Sequence, residues 1–203
     1  MQISKCLRFS AAFLAAVLTL SAPAIAQGPR ARSGEVAGVF GWESLKGIDD
    51  KTHVLFGASG GFNASERVQV FGEYTYLPLG SMSIVVVSAK GKAHLIGGGI
   101  RVHFGGASSR VNPFVVGAGG FSRATITINT PVSPISASGS GGYFGGGGGV
   151  SLFLGRNWGV RPEARFERLQ WSTLSMSSIN FPGGEGANVF TVRASLFFQF
   201  GGR

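Results

Sequence analysis

Residues 67–76 read Arg-Val-Gln-Val-Phe-Gly-Glu-Tyr-Thr-Tyr. Val68, Val70, Gly72, Tyr74 and Tyr76 share one parity, while Arg67, Gln69, Phe71, Glu73 and Thr75 share the other. Successive side chains of an extended chain point to opposite sides, so the segment predicts a strand with one apolar and one mostly polar face. The same period returns at Val160–Glu167, where Val160, Pro162, Ala164 and Phe166 alternate with Arg161, Glu163, Arg165 and Glu167. It closes the chain as well. There Phe190, Val192, Ala194, Leu196, Phe198 and Phe200 alternate with Val189, Thr191, Arg193, Ser195, Phe197 and Gln199. Five segments follow the pattern with less contrast: Glu35–Trp42, His53–Phe62, Ala93–Phe104, Phe114–Ile128 and Tyr143–Leu154. In Phe114–Ile128 Val116, Ala124, Ile126 and Ile128 stand opposite Arg123, Thr125 and Thr127, but across Pro113–Gly120 both faces are small or apolar and the phase is open. The total is eight strands.

The connections alternate in length. Asn63–Glu66, Gly105–Arg110 and Gly155–Asn157 are short, whereas Glu43–Lys51, Leu77–Lys92, Asn129–Gly142 and Leu169–Ala187 are long. Short turns at one end and long loops at the other are the pattern of an outer-membrane barrel with both termini in the periplasm. The expected fold is therefore all-β, an eight-stranded antiparallel up-and-down transmembrane barrel.

Composition agrees. Charged residues are 13% of the 203, hydrophobic residues 44%, and 34 residues are glycine. That balance excludes a charge-rich disordered chain and an A/E/K/L-rich coiled coil. After the first 26 residues no apolar run reaches the length of a membrane helix. The first 26 read as a secretory signal peptide, with Lys5 and Arg8 before the apolar stretch Ala11–Leu20 and Ala24-Ile25-Ala26 before the cut. The expected organisation is leader 1–26, a short tail 27–33 and a barrel domain 34–203. The single cysteine, Cys6, lies in the leader, so neither a disulfide framework nor a multi-cysteine metal site is expected. Within Gly145–Gly149 the alternation continues on both sides, which favours a sharply curved strand over a flexible linker.

No motif points to catalysis. Gly57-Ala58-Ser59-Gly60-Gly61 matches G-x-S-x-G, but it falls inside a strand pattern with no helix behind it. His53, His94 and His103 are isolated, and no glycine cluster completes a nucleotide-binding fingerprint. The basic residues are dispersed, which does not suit a nucleic-acid surface. No enzyme activity and no cofactor are expected.

GGGIRVHF (residues 97–104), NPFVVGAGG (112–120) and the hairpin GVSLFLGRNWGVRPEARFER (149–168) resemble the small eight-stranded outer-membrane barrel family. That family includes the OmpA transmembrane domain and opacity-type proteins, and many members carry the label porin family. The resemblance covers the whole chain after the leader. It implies residence in the cell outer membrane and recognition by the barrel-assembly machinery through the terminal ASLFFQF, with Phe198 and Phe200 as the signal. Gly201-Gly202-Arg203 follow where the family ends on the aromatic residue.

Two charge patterns remain. Arg67, Arg101, Arg123, Arg161, Arg165 and Arg193 are expected in the lumen with Glu35, Glu73, Glu163 and Glu167. Charges in so narrow a space should pair, and the count leaves an excess of positive charge. Lys46, Lys51, Lys90 and Lys92 fall at the outer strand ends, at the level of lipopolysaccharide phosphates. The expected function is a structural or surface-interaction role, since eight strands enclose little more than their own side chains. Two alternatives stay open: a secreted lipocalin-type barrel holding an apolar ligand, and a narrow anion-preferring channel.

Overall fold

A computed structural model describes residues 28–46, 52–84, 87–129, 134–176, 179–182 and 186–202. The expected leader and Lys51 lie outside the described residues. The described residues form nine strands: β1 Ser33–Lys46, β2 Thr52–Asn63, β3 Val68–Ile84, β4 Val87–His103, β5 Val111–Asn129, β6 Pro134–Phe153, β7 Trp158–Met176, β8 Ile179–Pro182 and β9 Ala187–Gly201. β8 is a four-residue return paired with the upper end of β7. The eight long strands make the wall. β1 to β7 pair antiparallel in chain order, and β7–β9 and β9–β1 pairings close the ring. Closure leaves no free sheet edge, which lipid would not tolerate.

Parity assigns the faces. In β9, Val189, Thr191, Arg193, Ser195, Phe197 and Gln199 are buried in the lumen. Phe190, Val192, Leu196, Phe198 and Phe200 point outward and are 45 to 60% exposed. Val36, Phe40, Trp42, Phe62, Val70, Ile96, Ile100, Phe121 and Phe166 extend that belt round the wall. A large apolar surface of this kind has no place in water. It is the lipid-facing surface of a membrane barrel, and the arrangement is the reverse of a lipocalin-type one.

Glycine acts differently on the two faces. A Cβ at the inward Gly147 would lie 2.0 Å from the Ala164 carbonyl oxygen, and one at Gly149 would lie 2.2 Å from that of Pro162. Those positions need glycine for the tight approach of β6 and β7. On the lipid side Gly60, Gly72, Gly98 and Gly119 are direct cross-strand neighbours on β2 to β5. They form a shallow row beneath the larger outward side chains. Pro162 sits where the β6–β7 ladder runs from Gly149–Glu163 to Leu152–Val160 with the pairs between them missing. The absent N–H therefore falls in a gap.

The long connections differ from expectation. The described residues of Leu77–Lys92 and Asn129–Gly142, and much of Leu169–Ala187, are strand, not loop. β3 runs on to Ile84 beyond its last pairing with β2 at Tyr76, and β7 runs on to Met176 beyond its last with β9 at Leu169. β3 to β7 thus build a lip above the shorter β1, β2 and β9. Its faces are inverted. Ala124, Ile126 and Ile128 of β5 face inward, paired with Gly139, Ala137 and Ile135 of β6. Lys90, Lys92, Arg123, Thr125, Thr127 and Ser136 face outward. Inner parity on β5 is even throughout, with Phe114, Val116, Ala118 and Ser122 buried. The phase left open across Pro113–Gly120 is thereby fixed, with Val116 toward the lumen. The strand crosses from lipid to water, so the environment of each face changes while the parity does not.

Candidate functional site: a charged lumen and a basic lip

The lower lumen is built by β1, β7 and β9. Arg161 donates two bonds to the Glu35 carboxylate, at 2.7 and 2.8 Å, and its Nε donates to Ser151 Oγ at 2.9 Å. Gln199 adds a third donor to Glu35 at 3.3 Å. The Arg161 guanidinium lies 4.4 Å over the Phe197 ring. Each face of this pair is occupied, so its burial is compensated.

One layer higher, β3, β4, β7 and β9 converge. Arg165 donates to Glu73 at 2.7 and 3.2 Å and to Glu163. Arg193 donates to both, at 2.9 Å each. Arg101 reaches Glu163 at 3.3 Å, donates to Gln69, and stacks 4.4 Å over Phe71. Glu167 lies 3.5 Å from Arg165. Glu163 alone accepts from three guanidinium groups. Interior strand geometry explains this: Arg161, Glu163, Arg165 and Glu167 share one parity of β7, and an eight-strand lumen is narrow enough for them to cross it.

Above the charges lies an apolar layer of Val39, Leu55, Leu77, Ala93, Leu95, Tyr143, Leu169 and Val189. Below them the chain before β1 folds across the periplasmic mouth. Pro29 is fully buried, Gly28 N–H donates to the Ala107 carbonyl, and Arg30 donates to Asn157 Oδ1 at 3.2 Å.

Of the residues expected in the lumen, Glu35, Glu73, Arg101, Arg161, Glu163, Arg165, Glu167 and Arg193 are buried there together. Two are not. Arg67 is exposed in the periplasmic turn, where its N–H and that of Val68 bond to Ser65 Oγ and end the strand. Arg123 is exposed on the outer face, level with His94 and Ser140. Glu43 was missed; it is 3% exposed and faces inward between His53 and Thr191. Among the described residues the lumen thus holds five carboxylates against four guanidinium groups. The count does not show the expected excess of arginine.

Lys90 and Lys92 are exposed on the outward face of the lip. Lys46 ends β1, and Lys51 lies outside the described residues. Phe198 and Phe200 face outward at the periplasmic end of β9, beside Trp158 and against Gly34. Ser59 is mid-strand in β2, between Ala37 and Glu73. The described residues contain no group of His, Cys, Asp and Glu suited to a metal ion.

No curated protein matches the sequence. Solved structures share its fold at low identity. The attachment invasion locus protein of Yersinia pestis aligns with a TM-score of 0.58 at 12% identity, covering 84% of this chain and 99% of that one. Neisserial surface protein A gives 0.57 at 14%, covering 83% and 96%. The outer membrane protein OprG from Pseudomonas aeruginosa gives 0.53 at 12%, covering 85% and 98%. The profile of the outer membrane protein beta-barrel domain family matches residues 12–198. With a closed ring, a lipid-facing apolar belt and that match over nearly its whole length, the chain belongs to the outer membrane protein beta-barrel domain family and resides in the outer membrane.

Proposed function

We propose that this barrel is a closed structural and surface-interaction protein, not a pore. The observation that carries the reading is the filled lumen. Four arginines and their carboxylate partners are locked in mutual hydrogen bonds beneath an apolar layer and above a folded N-terminal segment. Ions would have to break charge-assisted bonds to pass. Specific contact then falls to the outer lip. There Lys90 and Lys92, with Lys46 at the end of β1, meet lipopolysaccharide phosphates, and Lys51 is proposed to join them. Phe198 and Phe200 are the surface read by the barrel-assembly machinery during insertion. Export would use residues 1–26 as the leader.

The direct test is conductance in planar bilayers. The expected record is flat, or shows small and infrequent steps. Large, steady and unselective current would sink the closed-barrel reading.

A further inference from the structure

The outward face of the lip is a grid. Tyr76, His94, Arg123 and Ser140 are successive cross-strand neighbours on β3 to β6. Lys92, Thr125 and Ser138 form the next row up, and Lys90, Thr127 and Ser136 the row above. Strand geometry sets Lys90 and Lys92 roughly 7 Å apart, with neighbouring strands about 4.8 Å away. Lys92 thus stands about 8 Å from Arg123 and Lys90 about 14 Å from it, three permanent cations interleaved with hydroxyl donors. Among the described residues none of the three has a counter-ion on the protein surface. Among the described residues the carboxylates are the five in the lumen and Glu66, which is exposed in a periplasmic turn at the opposite end. Tyr76, Lys90, Lys92, Thr125 and Thr127 border an open groove of about 540 Å³.

We propose that this face binds a phosphate-bearing glycolipid of the outer leaflet, its anionic head on Lys90, Lys92 and Arg123. The inference rests on the reading that Lys90 and Lys92 touch lipopolysaccharide phosphates, and adds Arg123 and a defined seat. A lipid is favoured over a soluble anion by what lies directly beneath. Ile96 and Phe121, 63 and 79% exposed, pair with each other one step below the His94–Arg123 pair. Gly98 and Gly119 lie below those. Acyl chains descending from the cations would pass over Ile96 and Phe121 into the shallow glycine row. Arg123 is the anchor, because a guanidinium can hold a phosphate through two parallel bonds.

The experiment uses the full barrel in nanodiscs of phosphatidylcholine with a few per cent diphosphorylated or dephosphorylated lipid A. The glycolipid retained per barrel is counted by native mass spectrometry. Wild type should retain the diphosphorylated form and show no preference for the dephosphorylated one over phosphatidylcholine. K90Q, K92Q and R123Q should each lower retention about fivefold, and the triple variant about a hundredfold, from the usual strength of a surface cation on anionic lipid. All four should keep the heat-modifiable mobility of a folded barrel. If the triple variant retains lipid A like wild type while K46Q loses it, this seat is wrong although phosphate contact survives. If phosphorylation makes no difference to wild type, both readings fall. If inorganic phosphate competes as well as lipid A, the site takes a soluble anion and the glycolipid assignment is overturned.

Discussion

Glu163→Gln should be the most damaging conservative change in the lumen. Glu163 Oε1 accepts from Arg165 and Arg193, and its Oε2 from Arg101. Its side chain is only 2% exposed, so little water can take over those bonds. In this layer Glu73, Glu163 and Glu167 balance Arg101, Arg165 and Arg193 charge for charge. The substitution leaves two carboxylates facing three guanidinium groups and replaces one acceptor oxygen by an amide donor. Removing one partner of a buried pair costs about 3–5 kcal/mol, which is two to nearly four decades in the folding equilibrium at about 1.4 kcal/mol per decade. Urea titration of the barrel in lipid vesicles, followed by tryptophan fluorescence, would read the loss. Adding Arg193→Gln should restore part of it, because the surplus charge is removed, so the two changes must be non-additive. A cost below about 1 kcal/mol would place the carboxylate in water and refute the dry network.

Three further outcomes follow from the same geometry. Val192→Arg and Leu196→Arg face lipid and should cost about 2–4 kcal/mol near the midplane, measured by the same titration, with the cost falling as bilayers are thinned; Thr191→Arg and Ser195→Arg should show no such thickness dependence. Gly147→Ala should impair folding, since its Cβ would meet the Ala164 carbonyl at 2.0 Å, whereas Gly117→Ala meets nothing within 4 Å and should fold in vesicles at the wild-type rate. Removing both Phe198 and Phe200 by substitution to Ala should slow assembly in cells more than refolding into pure lipid, because the outward aromatic pair is then absent for the assembly machinery but backbone closure is intact; equal slowing in both settings would deny them a signalling role.

Strand number and faces were legible because lipid enforces them. Wherever a strand borders hydrocarbon, as at Arg67–Tyr76 and Val189–Phe200, one parity must be apolar and the period is plain. Legibility failed where that constraint stops. Ser136 and Ser138 belong to a strand in water, where no face need be apolar, so their segment reads as a loop. Arg123 stood on the polar parity of Phe114–Ile128, which is the lumen side only if apolar residues face lipid; on the lip they face inward. Glu43 follows Glu35, Ala37, Val39 and Gly41 in strict alternation. Extending β1 past Trp42 would have placed it in the lumen and completed the set of carboxylates. Arg67 had the right parity but stood past the strand end that Ser65 fixes.

The filled lumen can be probed with no background, because the chain has no cysteine after Cys6. Ser151→Cys would place a thiol at a fully buried lumen position beside Arg161, and Ser136→Cys one at an exposed position on the outer lip. The decisive measurement is the rate at which a small charged thiol reagent modifies each in the folded, membrane-embedded barrel. The sealed lumen predicts prompt modification at position 136 and protection at 151 until the barrel is unfolded. Comparable rates at the two positions would show a water-filled lumen and contradict the closed barrel.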